Sequence, residues 1–167
     1  MNYKIENRKL LFLDMDGVIN CTFKISEEIV FKNESYAFDK ILVNRINLLV
    51  NRFNLSIISS SSWRINLSLF DLKNVFNLIG LESNKLINIT PNLKSLGGWN
   101  DSGEITRGQE IRNFLFSIDY IPKRCLILDD RQDAGAGLPK NCYFIQTNNK
   151  YGLTKKLNKK CEEILRF

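Results

Sequence analysis

A chain of 167 residues and 19.4 kDa, 44% hydrophobic and 25% charged, has the size and balance of one globular domain over residues 1–167, which makes disorder a poor reading. Histidine is absent, which removes Ser-His-Asp and Cys-His mechanisms, imidazole acid–base chemistry and histidine-ligated zinc. The 24 basic and 18 acidic residues leave a net charge of +6, and no apolar run reaches the roughly 18 residues of a membrane span.

Met1 to Leu10 is too polar and too charged for a signal peptide, so a reducing, cytoplasmic setting is expected. Leu10 to Leu13 is a short apolar run that ends at Asp14, the pattern of a strand buried on both faces. Phe38, Ile41, Leu42, Ile46, Leu49 and Phe53 recur at helical spacing, and Leu55 to Ser59 follows as a second strand. The next helix is expected over Asn66 to Ile79, with Leu69, Leu72, Val75, Phe76 and Ile79 on one face and Gly80 as the stop. Leu86 to Ile89 is a brief extended piece. Thr106, with Gln109 three residues later, forms a capping-box pattern, so a helix begins near Arg107. Cys125 to Leu128 and Cys142 to Ile145 read as buried strands, and Leu153 to Leu165 as a closing amphipathic helix. The four cysteines are widely spaced without a C-x-x-C pair and read as small buried apolar residues.

Alternating strands and helices imply an α/β fold, with a mostly parallel sheet between two helical layers. Chemistry in such sheets gathers at the carboxyl ends of the strands. Three of the predicted strands end in polar residues: Asp14-Met15-Asp16, Ser59 to Ser62, and Asp129-Asp130. Four carboxylates at one sheet edge repel one another unless a cation sits among them, and a hard divalent ion such as Mg2+ suits oxygen ligands. With its charge so balanced, an aspartate can attack a phosphorus centre. A turn at Gly17 takes Asp16 off the strand, to a place where it can protonate a leaving oxygen and later deprotonate water.

LFLDMDGVIN resembles motif I of the haloacid dehalogenase (HAD) superfamily of phosphatases, LILDD its acidic motif IV, and SIISSSSWR its motif II. Motif III, a cation near a helix start, is matched by Arg107, 22 residues before Asp129, with Lys94 in reserve. Ser61 to Arg64, Asn88 to Pro91, Thr106 to Ile111 and Tyr151 to Thr154 are similar to the small HAD domain of Swiss Army Knife RNA repair proteins. The resemblance implies a three-layer α/β/α Rossmann-like core and an Mg2+-dependent phosphatase, a phosphoric monoester hydrolase. It further implies Asp14 as the nucleophile that forms an aspartyl-phosphate and Asp16 as the acid, then base. The metal would be held by the Asp14 carboxylate, the Asp16 main-chain carbonyl, Asp129 and Asp130. The phosphate would be bound by Ser60, or by Ser61 one register on, and by Arg107. Arg64 either binds phosphate too or pairs locally, and Trp63 reads as a packing residue before a base-stacking one.

The interval from Val18 to Tyr36 holds 19 residues, enough for a hairpin flap, and the 41 residues from Ile65 to Ile105 already include a helix and a strand. No sizeable cap domain fits. An uncovered crevice favours a bulky substrate, and six basic residues against Glu162 and Glu163 between Lys150 and Phe167 favour an anionic one. A phosphorylated RNA or DNA end is therefore the expected substrate, with no membrane partner. The alternatives are a phosphatase of small molecules or nucleotides and a catalytically silent phosphate-binding module. Dehalogenation needs no Mg2+ and no second aspartate at the position of Asp16, a mutase normally needs a cap, and a receiver domain has its acidic pair and acceptor aspartate in the reverse order.

Overall fold

The computed structural model describes residues 4–23, 29–32, 37–93 and 105–166. Its frame is a five-stranded sheet in the order β5-β4-β1-β6-β7, every neighbouring pair parallel. The strands are β1 (Lys4–Leu13), β4 (Leu55–Ser59), β5 (Leu86–Ile89), β6 (Tyr120–Asp129) and β7 (Cys142–Gln146). A separate antiparallel pair, β2 (Ile29–Lys32) and β3 (Ala37–Asp39), forms a small flap. The helices are α1 (Lys40–Phe53), α2 (Leu69–Ile79), α3 (Arg107–Ser117) and α4 (Lys155–Arg166).

The two-residue period of the strands sorts the core into two faces. Leu11, Leu13, Leu55, Ile57, Leu126 and Leu128 pack against α1, α2 and α4 through Leu42, Ile46, Leu49, Leu72, Phe76, Cys161 and Leu165. Leu10, Phe12, Ile58, Cys125 and Ile127 face the other way, onto Ile111 and Phe114 of α3 and onto Ala134. Phe12 meets Phe114 edge to face at 5.7 Å between ring centroids. The result is the expected three-layer α/β/α core. Among the described residues, neither interval open to a cap insertion holds more than the flap, α2, β5 and short 3₁₀ turns.

Several boundaries differ from the sequence reading, each for a local reason. β1 and β6 begin earlier because Lys4 to Glu6 pair with Tyr120 to Pro122 across a register break, an extension too polar to leave an apolar run. Phe38 lies in β3, not in α1: Asp39 caps that helix by accepting from the Ile41 N–H at 2.8 Å. α2 starts at Leu69 because Ser68 and Asp71 form a reciprocal capping box. α3 begins at Arg107 under the Thr106–Gln109 box, as the sequence indicates. α4 begins at Lys155, since the Leu153 N–H is engaged by the Val18 carbonyl.

Candidate active site at the carboxyl ends of the strands

Main-chain hydrogen bonds continue just past the strand ends and fix the residues that follow them. The Asp14 N–H donates to the Leu128 carbonyl (3.0 Å), that of Ser60 to Leu13 (3.1 Å) and that of Thr147 to Asp129 (2.9 Å). Leu13 pairs with Ser59 on one side and Leu128 on the other, so Asp14, Ser60 and Asp129 share one rim of the sheet. After Met15 the chain reverses: the N–H groups of Ile19 and Asn20 both reach the Met15 carbonyl at 3.0 Å, and Gly17 adopts φ +72°. That φ favours glycine, and a Cβ at this position would strike the Asp130 carboxylate. The Asp-x-Asp-Gly turn is thus shaped to the second acidic pair.

Carboxylate oxygens of Asp14, Asp129 and Asp130 lie within 4.8 Å of one another. Asp14 and Asp129 are buried, and Asp130 is partly so. Burial pushes the Asp129 carboxyl up to about 7; the nearby Asp14 adds to the effect, while the Arg107 guanidinium opposes it. Burial likewise raises Asp14 above the usual carboxylate range, against Arg107 and a hydrogen bond from the Ser61 hydroxyl. Burial and then Asp14 raise Asp130. Asp129 Oδ1 accepts from the Arg131 N–H at 2.9 Å, whereas its buried Oδ2 has no hydrogen-bond partner. Three converging hard oxygen donors, one of them without a hydrogen-bond partner, suit a divalent cation such as Mg2+.

Arg107 lies 3.8 Å from Asp14 Oδ1 and 3.6 Å from Asp129 Oδ2, both through Nη1, which also donates to the Ser60 carbonyl. Its own N–H donates to Asp133 Oδ2 at 2.9 Å, and Glu110 stands 3.8 Å from its Nε. The first turn of α3 therefore delivers a cation to the acidic centre and holds it there. Lys94, the reserve candidate, lies outside the described residues.

The Asp16 carboxylate stands apart from the acidic trio. Its Oδ1 accepts from Asn20 Nδ2 at 2.7 Å and its Oδ2 from Trp63 Nε1 at 2.9 Å. Trp63 also packs edge to face on Phe38 at 5.9 Å. Of the two candidate serines, Ser61 has the hydroxyl that reaches Asp14, while that of Ser60 is buried without a hydrogen-bond partner. Arg64 is buried and makes local bonds. Its Nε donates to the Thr90 carbonyl (3.0 Å), Nη1 to those of Ser60 (2.8 Å) and Ser61 (2.7 Å), and Nη2 to that of Pro91 (3.4 Å) and to Glu110. It fastens the exits of β4 and β5 to α3, the local pairing that the sequence left open. Asn20 and Glu110 escaped the sequence reading; their only signal was position, inside the Asp-x-Asp-Gly segment and one turn after Arg107.

The family model described as the HAD domain in Swiss Army Knife RNA repair proteins matches residues 10–157. The chain belongs to that family. No match is found among curated proteins or among solved structures. The matched span of this HAD domain runs from the start of the apolar segment before Asp14 into α4, so it takes in the whole crevice. No helix among the described residues of the HAD domain is long and apolar enough to cross a membrane.

Proposed function

We propose that this HAD domain is an Mg2+-dependent phosphohydrolase that works through an aspartyl-phosphate on Asp14, acting on a phosphorylated nucleic-acid end. The observation that carries the reading is the separation of the carboxylates into two groups. Asp14, Asp129 and Asp130 converge with Arg107, while Asp16 is held off by Asn20 and Trp63. One group suits attack on a phosphoryl centre, the other proton transfer.

In the first step an Asp14 oxygen bonds to phosphorus as the bond from phosphorus to the leaving oxygen breaks, and Asp16 gives its proton to that oxygen. In the second, Asp16 takes a proton from water, whose oxygen attacks phosphorus and releases phosphate and the restored Asp14 carboxylate. Each Asp16 oxygen accepts one N–H in the structure and keeps a second lone pair on which the proton can be carried. Arg107 and the Ser61 hydroxyl, both at Asp14, are assigned to the phosphoryl oxygens. Bound at Asp14, Asp129 and Asp130, Mg2+ supplies positive charge that lets the anionic substrate approach an anionic nucleophile. The net charge of +6 and the uncapped crevice support a large anionic substrate.

The test is phosphate release, with and without Mg2+, from 3′- and 5′-phosphorylated oligonucleotides beside a panel of sugar phosphates and mononucleotides. Preference for an oligonucleotide, abolished in Asp14→Asn, is the expected result. Preference for a small metabolite would remove the nucleic-acid assignment, and inactivity on every ester would leave a phosphate-binding module.

A further inference from the structure

Beside the acidic centre lies a cleft of about 460 Å³ walled by Asp16, Ser62, Trp63, Ile65, Asn66 and Leu67. We infer that this cleft is the leaving-group site and that it selects a flat, ring-bearing alcohol of nucleoside size. The inference rests on the phosphohydrolase reading, because it uses Asp16 as the proton donor. A general acid must reach the leaving oxygen within hydrogen-bond distance, so the departing alcohol lies on the side that Asp16 faces. Asp16 is itself part of the cleft wall.

The remaining walls fit the neutral part of a nucleotide and do not fit its phosphate. None of the described lining residues is a cation, whereas Arg107 stands at Asp14. Trp63 offers an aromatic surface whose placement is fixed at two points, by its N–H on Asp16 and by its edge contact with Phe38. Ile65 is 55% exposed, although the buried Arg64 next to it anchors the same 3₁₀ turn from inside. The exposed Ile65 side chain thus gives the cleft an apolar wall. The Asn66 amide and the Ser62 hydroxyl, both on exposed residues, supply polar edges of the kind that read a base. A volume of this size is that of a small-ligand site, and stacking on an aromatic surface tolerates any base.

Benzyl phosphate and methyl phosphate test this directly, since their leaving alcohols have similar acidity and differ by a ring. For the wild type with Mg2+, kcat/KM is expected to favour benzyl phosphate by about tenfold or more, the scale of burying one ring. Ile65→Glu is expected to bring that ratio to within about threefold of unity, and Ile65→Ser, which adds no charge, to lower it. Phe116→Glu, a change at a still more exposed apolar residue near the far end of α3, is the control expected to keep the wild-type ratio. A wild-type ratio near one, or a high ratio that survives both Ile65 variants, would overturn the leaving-group site and leave the phosphohydrolase reading standing. Hydrolysis of neither ester by a wild type that still releases phosphate from the oligonucleotides would overturn the leaving-group site alone, and inactivity on the oligonucleotides as well would overturn both.

Discussion

Asp14 and Arg64 show how differently two buried charged residues serve the fold. Burial raises the Asp14 pKa, with a smaller push from Asp16 and opposition from Arg107, so replacing its carboxylate with an amide removes a buried charge as well as the proposed nucleophile. Asp14→Asn should therefore abolish turnover while raising the melting temperature of the metal-free protein, and a combined activity and thermal-melt measurement checks both signs. Arg64 is the reverse case, because its guanidinium engages four carbonyls and Glu110. Arg64→Ala takes one donor group from the buried Glu110 and from those carbonyls, at a cost of about 3 kcal/mol in chemical denaturation. Arg64→Lys should recover little of it, since a point charge cannot span the same acceptors. The sequence located both residues, yet the role of Arg64 depends on where β5 and α3 end, which spacing along the chain does not encode.

The metal binding proposed at Asp14, Asp129 and Asp130 would have a pH signature. Asp129 holds its proton up to about 7 in the fold against an ordinary value of 3.8, so in that window the folded state binds more protons than the unfolded one. Its contribution to stability is present below about 4 and lost as pH rises through about 7. Mg2+ can take the place of the proton only once the carboxylate is ionised. Addition of Mg2+ should therefore raise the melting temperature clearly at pH 7.5 and little at pH 5, which differential scanning fluorimetry reads directly. An equal rise at both values would contradict the assignment of Asp129 to the metal.

At the level of elements, the loop after β1 and the first turn of α3 place the chemistry. Gly17 has a left-handed φ and no room for a Cβ beside Asp130, so Gly17→Ala should disturb both acidic pairs and lower kcat/KM by at least about 100-fold, roughly 2.7 kcal/mol of transition-state stabilisation. A loss in melting temperature should accompany it. The Asp-x-Asp-Gly turn, the serine run and the Thr106 capping box could be read from sequence because each is a local pattern with one physical meaning. The Asn20 and Trp63 bonds to Asp16 could not, because Trp63 approaches from the end of a different strand, 47 residues away along the chain. An indole N–H seeking an acceptor leaves no periodicity to detect.

Across the whole molecule, the parallel sheet converts sequence order into proximity: β1 lies at its centre, flanked by β4 and β6, so three distant segments end at one rim. The apolar runs made this architecture legible, since strands buried on both faces and helices with one apolar face admit few arrangements. What they left open was the polar extension of β1 and β6, which pairs outside the core. The net charge of +6 also acts at this scale. If a polynucleotide end is the substrate, its KM should rise steeply with salt while that for benzyl phosphate changes little, because only the former displaces counterions at several phosphates.

The most direct measurement of the central claim is a crystal structure of the protein with Mg2+ and beryllium fluoride, a mimic of the aspartyl-phosphate. The account predicts beryllium bonded to an Asp14 carboxylate oxygen, one Mg2+ ligated by Asp14, Asp129 and Asp130, and Arg107 on the fluorides. A mimic seated on another residue, or a metal that leaves Asp129 and Asp130 unligated, would contradict it.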